Sequence, residues 1–340
     1  MWRIKNQTSY AVERSWVRGR LGEEIWTVAL KATFDIRPDG TTQLSSSQLP
    51  INTGPVLNSD NETLLYDTDF GPEKMATDII LNGHAWTPDG KPAPTIPVGL
   101  KIGNVTRIAQ IYGDRIWDGK RYKEPLPFEK LPLHYTRMSQ GKYLTSCKDN
   151  FNPVGVSVET SPEIGISVLP NIEFYDDETP GFGALPRYWP GRLQFAGTYD
   201  KRWQREQAPL LPEDLDERYW QSTPPPLYAG GRLKGGETVY LGNLTPPGYG
   251  RDGLLVFELP RIVPAFRTQF YDGSVIRHQA KLHTIILETD FPRVSLVWHT
   301  ALSCHHQVNQ LESTTVSEKK RLFIRTKTLP TQFPEWEALL

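Results

Sequence analysis

Residues 26–36 read Trp26-Thr-Val-Ala-Leu-Lys-Ala-Thr-Phe-Asp-Ile36. The stretch is rich in β-branched and aromatic side chains. Trp26, Val28, Leu30, Ala32, Phe34 and Ile36 share one face at a period of two; Thr27, Lys31, Thr33 and Asp35 share the other. That pattern predicts a half-buried strand. Arg37-Pro-Asp-Gly40 follows it with Pro and Gly where a turn uses them.

The same grammar recurs on both sides. Asp78 to Trp86 reads as a strand closed by the turn Thr87-Pro-Asp-Gly90. Pro97–Gly103 and Val105–Tyr112 alternate about Gly103-Asn104, which predicts a hairpin. Gly113–Trp117 reads as one more short strand, and Phe128–Tyr135, interrupted by Pro132, as an edge or connector. Residues 41–62 have no period and read as a loop. In the last third, 238–241, 253–259, 262–270, 283–288 and 294–301 are strand-like, punctuated by Pro260, Pro264, Gly273 and Pro292. Short strands between frequent turn signals predict a mainly β, sandwich-like fold of antiparallel sheets with little helix. Three regions are expected: a β-rich 1–150, an irregular 151–230 and a β-rich 231–340.

Lys plus Arg number 38 and Asp plus Glu 39, so the net charge is −1. Such a balance offers no global field to draw in nucleic acid or an anionic membrane. No uncharged apolar run approaches the roughly 20 residues that span a bilayer. The start, MWRIKNQTSY, lacks an apolar signal core. A cytoplasmic protein is expected, with Cys147 and Cys304 reduced.

The central segment breaks the grammar. Between Gly181 and Trp220 stand Phe182, Tyr188, Trp189, Phe195, Tyr199, Trp203, Tyr219 and Trp220, about twice the chain's aromatic share of 11%. Pro and Gly recur too often for a helix of normal length before Trp203. The only helix expected is Pro212–Trp220, whose carboxylates suit a first turn and which Pro224-Pro-Pro226 ends. Rings in such number predict an ordered irregular segment plugged into the β scaffold. Trp189 and Tyr199 are expected as its anchors. Arg192, Asp200, Trp203, Tyr219 and Trp220 are expected at or near a partner-binding surface, because Trp, Tyr and Arg concentrate at interface hot spots.

Catalytic signals are weak. Adjacent His305 and His306 beside Cys304 point to opposite sides of a strand, so no metal site is expected, and no cofactor motif occurs. The acidic runs Asp176-Asp177-Glu178 and Glu213–Glu217 could supply a glycosidase pair, one member of which needs a raised pKa. A carbohydrate-binding or carbohydrate-active β protein is therefore the alternative reading.

KMATDIILNGHAW (74–86), GDRIW (113–117), NPVG (152–155), LPNIE (169–173), GFGALPRYWPGRLQFAGTYDKRW (181–203), LPEDLDERYW (211–220) and LHTIILETD (282–290) together resemble a bacterial type VI secretion system accessory family. Its members look like effector adaptors or chaperones encoded beside toxins and spike proteins. The resemblance implies no catalytic residues. It implies a co-encoded effector and spike proteins as partners, with no nucleic acid and no membrane. A structural spike component is a third reading. Three departures stand out. Leu131–Gly141 keeps a single Gly where the family has a Gly-rich run. His283 stands where an Asp is common, and Val297-Trp-His299 replaces an ending like VWR.

Overall fold

The computed structural model describes residues 2–60, 62–115, 123–140, 151–156, 169–175, 179–303 and 310–319. Cys147, Cys304, His305, His306, Trp117 and the acidic run 176–178 lie outside them.

The strand quoted at the outset is β3, Glu24–Ile36, and it is central. It lies in a six-stranded sheet between β2 (Ala11–Arg18) and β18 (Arg293–Ser303), with β4 (Thr42–Leu44) pairing its far end after the Arg37–Gly40 turn. β17 (Lys281–Glu288) and β7 (Asp78–Asn82) complete the sheet, and these two run parallel. The expectation of a half-buried strand is corrected: β3 is buried on both faces, Thr27, Lys31 and Thr33 included. One face, with Val28, Leu30, Ala32 and Phe34, joins the main core; beyond the other, Ile80, Ile286 and Val297 pack on Leu64 and Ala184. Lys31 is tolerated there because its ammonium meets the Asp69 carboxylate at 2.5 Å and donates to the Pro50 carbonyl at 2.9 Å. A buried charge needs such a partner.

The expected 97–112 hairpin forms as β9 (Thr95–Ile102) and β10 (Val105–Tyr112), which turn through Gly103 at φ +55°. They sit in a five-stranded sheet with β12 (Ile172–Phe174), β13 (Thr238–Gly242) and β14 (Leu254–Glu258). Val98, Leu100, Ile102, Leu241 and Leu255 share the core of the six-stranded sheet. Each of these two sheets takes strands from both ends of the chain. A four-stranded sheet adds β1 (Arg3–Asn6), β19 (Leu311–Glu318), β15 (Pro264–Phe270) and β16 (Val275–Gln279). Two ribbons complete the set: β5 (Val56–Leu57) with β6 (Leu64–Tyr66), and β8 (His84–Trp86) with β11 (Lys130–Pro132). The fold is mainly β, antiparallel or mixed, with no closed barrel. Gly83, at φ +154°, breaks the expected 78–86 strand and sends its two halves to different sheets.

The helix expected over 212–220 is corrected as well. Only a 3-10 turn at Glu217–Trp220 forms there. Among the described residues the α-helices are α1 (Pro190–Leu193) and α2 (Lys201–Glu206). Asp200 starts α2 by accepting the Trp203 backbone N–H at 2.8 Å, a cap worth about 1 kcal/mol. Among the described residues no helix is long and apolar enough to cross a membrane.

Candidate protein-docking surface

The aromatic segment enters against β7, where the Leu81 N–H donates to the Phe182 carbonyl. Phe182 lies 5.1 Å from Phe174, and Trp189 meets Tyr135 edge-on, also at 5.1 Å. Both Phe182 and Trp189 are buried, so Trp189 anchors the segment as expected. α1 fits only because residue 191 is Gly; a Cβ there would approach the Phe151 ring to 2.6 Å.

Arg192 is corrected from surface to core: it is 2% exposed. Its Nη1 donates to Asp67 Oδ2 and to the Leu185 carbonyl, each at 2.8 Å. Nε and Nη2 donate to the Tyr219 carbonyl at 3.2 and 3.0 Å. One guanidinium thus ties three stretches of chain together. Burial pushes the Asp67 carboxyl up, but the Arg192, Arg187 and Lys74 charges outweigh it and hold the group below its ordinary value.

A second polar knot fixes the end of the segment. Asp78, fully buried, accepts from Lys74 Nζ at 2.6 Å and from the Ser222 N–H and hydroxyl at 2.8 Å each. Its other oxygen accepts from Gln221 Nε2 at 2.9 Å and Thr223 Oγ1 at 2.8 Å. Close by, His283 and His299 stack with ring centroids 4.4 Å apart. Two histidines of neighbouring strands thus face each other across β17 and β18. Burial pushes both imidazoles down, His299 to about 4.

The outer side of the segment is different. Tyr188, Leu193 and Tyr199 are each more than half exposed. Tyr199 is therefore corrected from anchor to surface; it stands edge-on to Trp203 at 4.7 Å. Trp203 is half-buried, its indole N–H donating to the Leu210 carbonyl at 2.9 Å. Asp200 and Trp203 line a groove of about 330 Å³ with Gln207, Pro212 and Glu213. Trp220 lines a second groove, of about 440 Å³, with Met75, Leu211 and Arg18. The tip of the β2–β3 hairpin forms its wall, where Arg20 donates to the Leu215 carbonyl at 2.8 Å and to the Glu213 carbonyl. Tyr219, half-buried beside Trp220 at 5.1 Å, serves the fold through its carbonyl. Of the five expected surface residues, four lie on this side and Arg192 lies beneath it.

Two carboxylates of the 213–217 run, Asp214 and Asp216, have structural duties. Asp214 accepts from the Thr198 N–H and hydroxyl at 2.9 and 2.7 Å, and Asp216 pairs with Arg218 at 2.5 Å. These bonds, to Thr198 and to Arg218 respectively, hold both acids below their ordinary value. A general acid in a glycosidase needs the opposite shift. Among the described residues no cluster of three or more His, Cys, Asp or Glu is placed to hold a metal ion.

No curated protein and no solved structure matches the chain. Residues 21–299 match the model of a family described as an uncharacterized protein conserved in bacteria, DUF2169. The match takes in β3, the whole aromatic segment and the His283–His299 pair, and the protein belongs to this bacterial family.

Proposed function

We propose that the protein is an adaptor of the type VI secretion system, which binds a co-encoded effector and assists its loading onto the spike. The observation that carries this reading is the two-sided aromatic segment. Arg192 and Trp189 fix it from beneath, while Tyr188, Leu193 and Tyr199 stand in water, Tyr199 against the half-buried Trp203, and Trp220 is half-buried. Rings left largely in water by the protein's own fold, held on a preorganised backbone, suit a partner's apolar surface. The motifs shared with the secretion-accessory family run through this same segment. The adaptor would cover effector surface that otherwise aggregates, and would stabilise the effector by mass action.

The test is co-expression with the neighbouring effector, followed by affinity capture and thermal melting. A Tyr188→Ala/Tyr199→Ala variant should melt close to the parent and lose about 2 kcal/mol or more of effector affinity. Unchanged capture by that folded variant removes this surface from the reading. Specific binding of a glycan array in place of the effector would favour the carbohydrate alternative.

A further inference from the structure

A groove of about 600 Å³ lies on the four-stranded sheet, outside the aromatic segment. Phe266 and Trp298, both buried, form its apolar floor. Four cations stand around it: Lys234, Arg267, Arg277 and Lys319. All four are exposed, and no carboxylate is among the groove's lining residues. Glu318, next to Lys319, is engaged elsewhere, accepting from the Tyr10 hydroxyl at 2.8 Å, and Glu237 holds the Lys234 backbone N–H at 2.8 Å without lining the groove. Arg267 and Arg277 sit directly opposite each other across the β15–β16 ladder. Like charges so placed repel, and an anion between them relieves that repulsion. In a chain of net charge −1, a local excess of this kind is a feature of the site and not of the composition.

The groove also borders an open sheet edge. Among the described residues β16 pairs with β15 alone, and Val275 and Ile276 on it are exposed. An open edge beside a groove accepts an extended chain by strand addition, with alternate side chains reaching the groove. A lipid or nucleotide would have no use for that edge. We propose that this groove binds an extended acidic segment of a partner protein. One aromatic or large aliphatic side chain sits over Phe266 and Trp298, and flanking carboxylates meet the four cations. The inference does not rest on the adaptor reading, because it uses none of the residues of the aromatic segment.

The experiment uses the full chain and a fluorescein-labelled peptide, Glu-Val-Asp-Phe-Glu-Val-Asp, read by fluorescence polarisation. Saturable binding that weakens with added salt is expected. An Arg267→Glu/Arg277→Glu variant should weaken it about tenfold or more with the melting temperature retained. Arg267→Gln/Arg277→Gln serves if the reversal disturbs folding, and Ala265→Trp, which fills the groove, should act in the same direction. A peptide with Lys in place of its acids should not bind. No saturable binding up to about 1 mM, or equal binding by the Lys peptide or by either charge variant, overturns the proposal. So does preferential binding of a single-stranded oligonucleotide. Binding by a chain shortened after Lys319, with none by the full chain, would also overturn it, since the occupant would then be the chain's own end.

Discussion

Trp189 and Arg192 are each 2% exposed, whereas Tyr188, one residue from Trp189, is 62% exposed. The two sides of this irregular segment differ in kind as well as in exposure. On the inner side the buried charges are paired: Arg192 with Asp67, Leu185 and Tyr219, and Asp78 with Lys74 and residues 221–223. On the outer side Tyr188, Leu193 and Tyr199 are large, apolar and open. A segment without a ladder of its own must borrow order from beneath. Once it is so fixed, its outer side is free to be shaped for something else. Replacements on the two sides should therefore separate into losses of fold and losses of binding.

The largest effect is expected at Arg192. Arg192→Ala leaves Asp67 buried with its close ion pair gone and only the weaker pair to Arg187, at 3.4 Å, and the Lys74 charge to balance it. Breaking a buried pair from one side costs roughly 3–5 kcal/mol. Trp189→Ala should cost a similar amount, roughly 3–5 kcal/mol, through the cavity left against Tyr135. Chemical denaturation measures both. If either variant unfolds at the parent's midpoint, the inner side is not what holds the segment. An Arg192→Met/Asp67→Leu variant, which removes both charges, should recover much of the loss.

Acid tests the inner side by another route. His278 and His299 are pushed down to about 4 by burial, and His283 is held well below its ordinary value. In the unfolded chain each takes up a proton near pH 6.5. Between about 6.5 and about 4 the unfolded state thus holds more protons, and stability falls as pH falls, by a few kcal/mol for the set. Asp67 has the carboxylate form of the same linkage. Its folded value is depressed, so its contribution is present above the ordinary 3.8 and is lost as pH drops through the folded value. A titration of the denaturation midpoint should show the histidine loss first and the Asp67 loss below it. A flat profile from pH 7 to 4 would mean that the imidazoles are not buried neutral.

His283 and His299 also allow a sharper cut. His299→Arg alone places a third cation near Lys74 and Arg232 and should destabilise. Adding His283→Asp gives that cation a partner at the position of the ring's stacking neighbour. The double variant should be more stable than the two single changes predict, by about 1–3 kcal/mol. Additive behaviour would mean the stacked rings act independently.

What was legible in sequence follows from where the stabilising partner lies. The β9–β10 hairpin and the Arg37–Gly40 turn could be read because period and turn chemistry are local. Lys31 could not be placed in the core, because nothing within its own strand announces Asp69 in a distant loop. Arg192 failed for the same reason: an Arg amid rings looks like a hot spot until Asp67 is seen beneath it. The misplaced helix had a local signal that was overlooked. Asp200 precedes a run free of Pro and Gly, Lys201–Glu206, whereas the acids of 213–217 serve Thr198 and Arg218. β2, β12, β16 and β19 lack a strong apolar period, since each is an edge strand or mostly polar, and pairing rather than pattern defines them.

The smallest effect on stability is expected on the outer side, and it is the most informative. Tyr199 touches Trp203 edge-on and is 52% exposed; Tyr188 donates only to the Glu62 carbonyl, at 3.1 Å. An edge-on pair contributes about 0.5–1.5 kcal/mol, and an exposed tyrosine hydrogen bond about 1 kcal/mol or less. Tyr188→Ala and Tyr199→Ala should therefore each shift the denaturation midpoint by no more than about 1 kcal/mol equivalent. Trp203→Ala should cost somewhat more, because its indole N–H closes the loop at Leu210. If Tyr199→Ala instead cost as much as Trp189→Ala, the ring would be an anchor and the outer side would be part of the core. If both tyrosine variants fold normally and lose the effector, the division between the sides is functional. If both fold normally and keep the effector, the exposed rings serve neither fold nor binding, and the docking surface must be sought on another face.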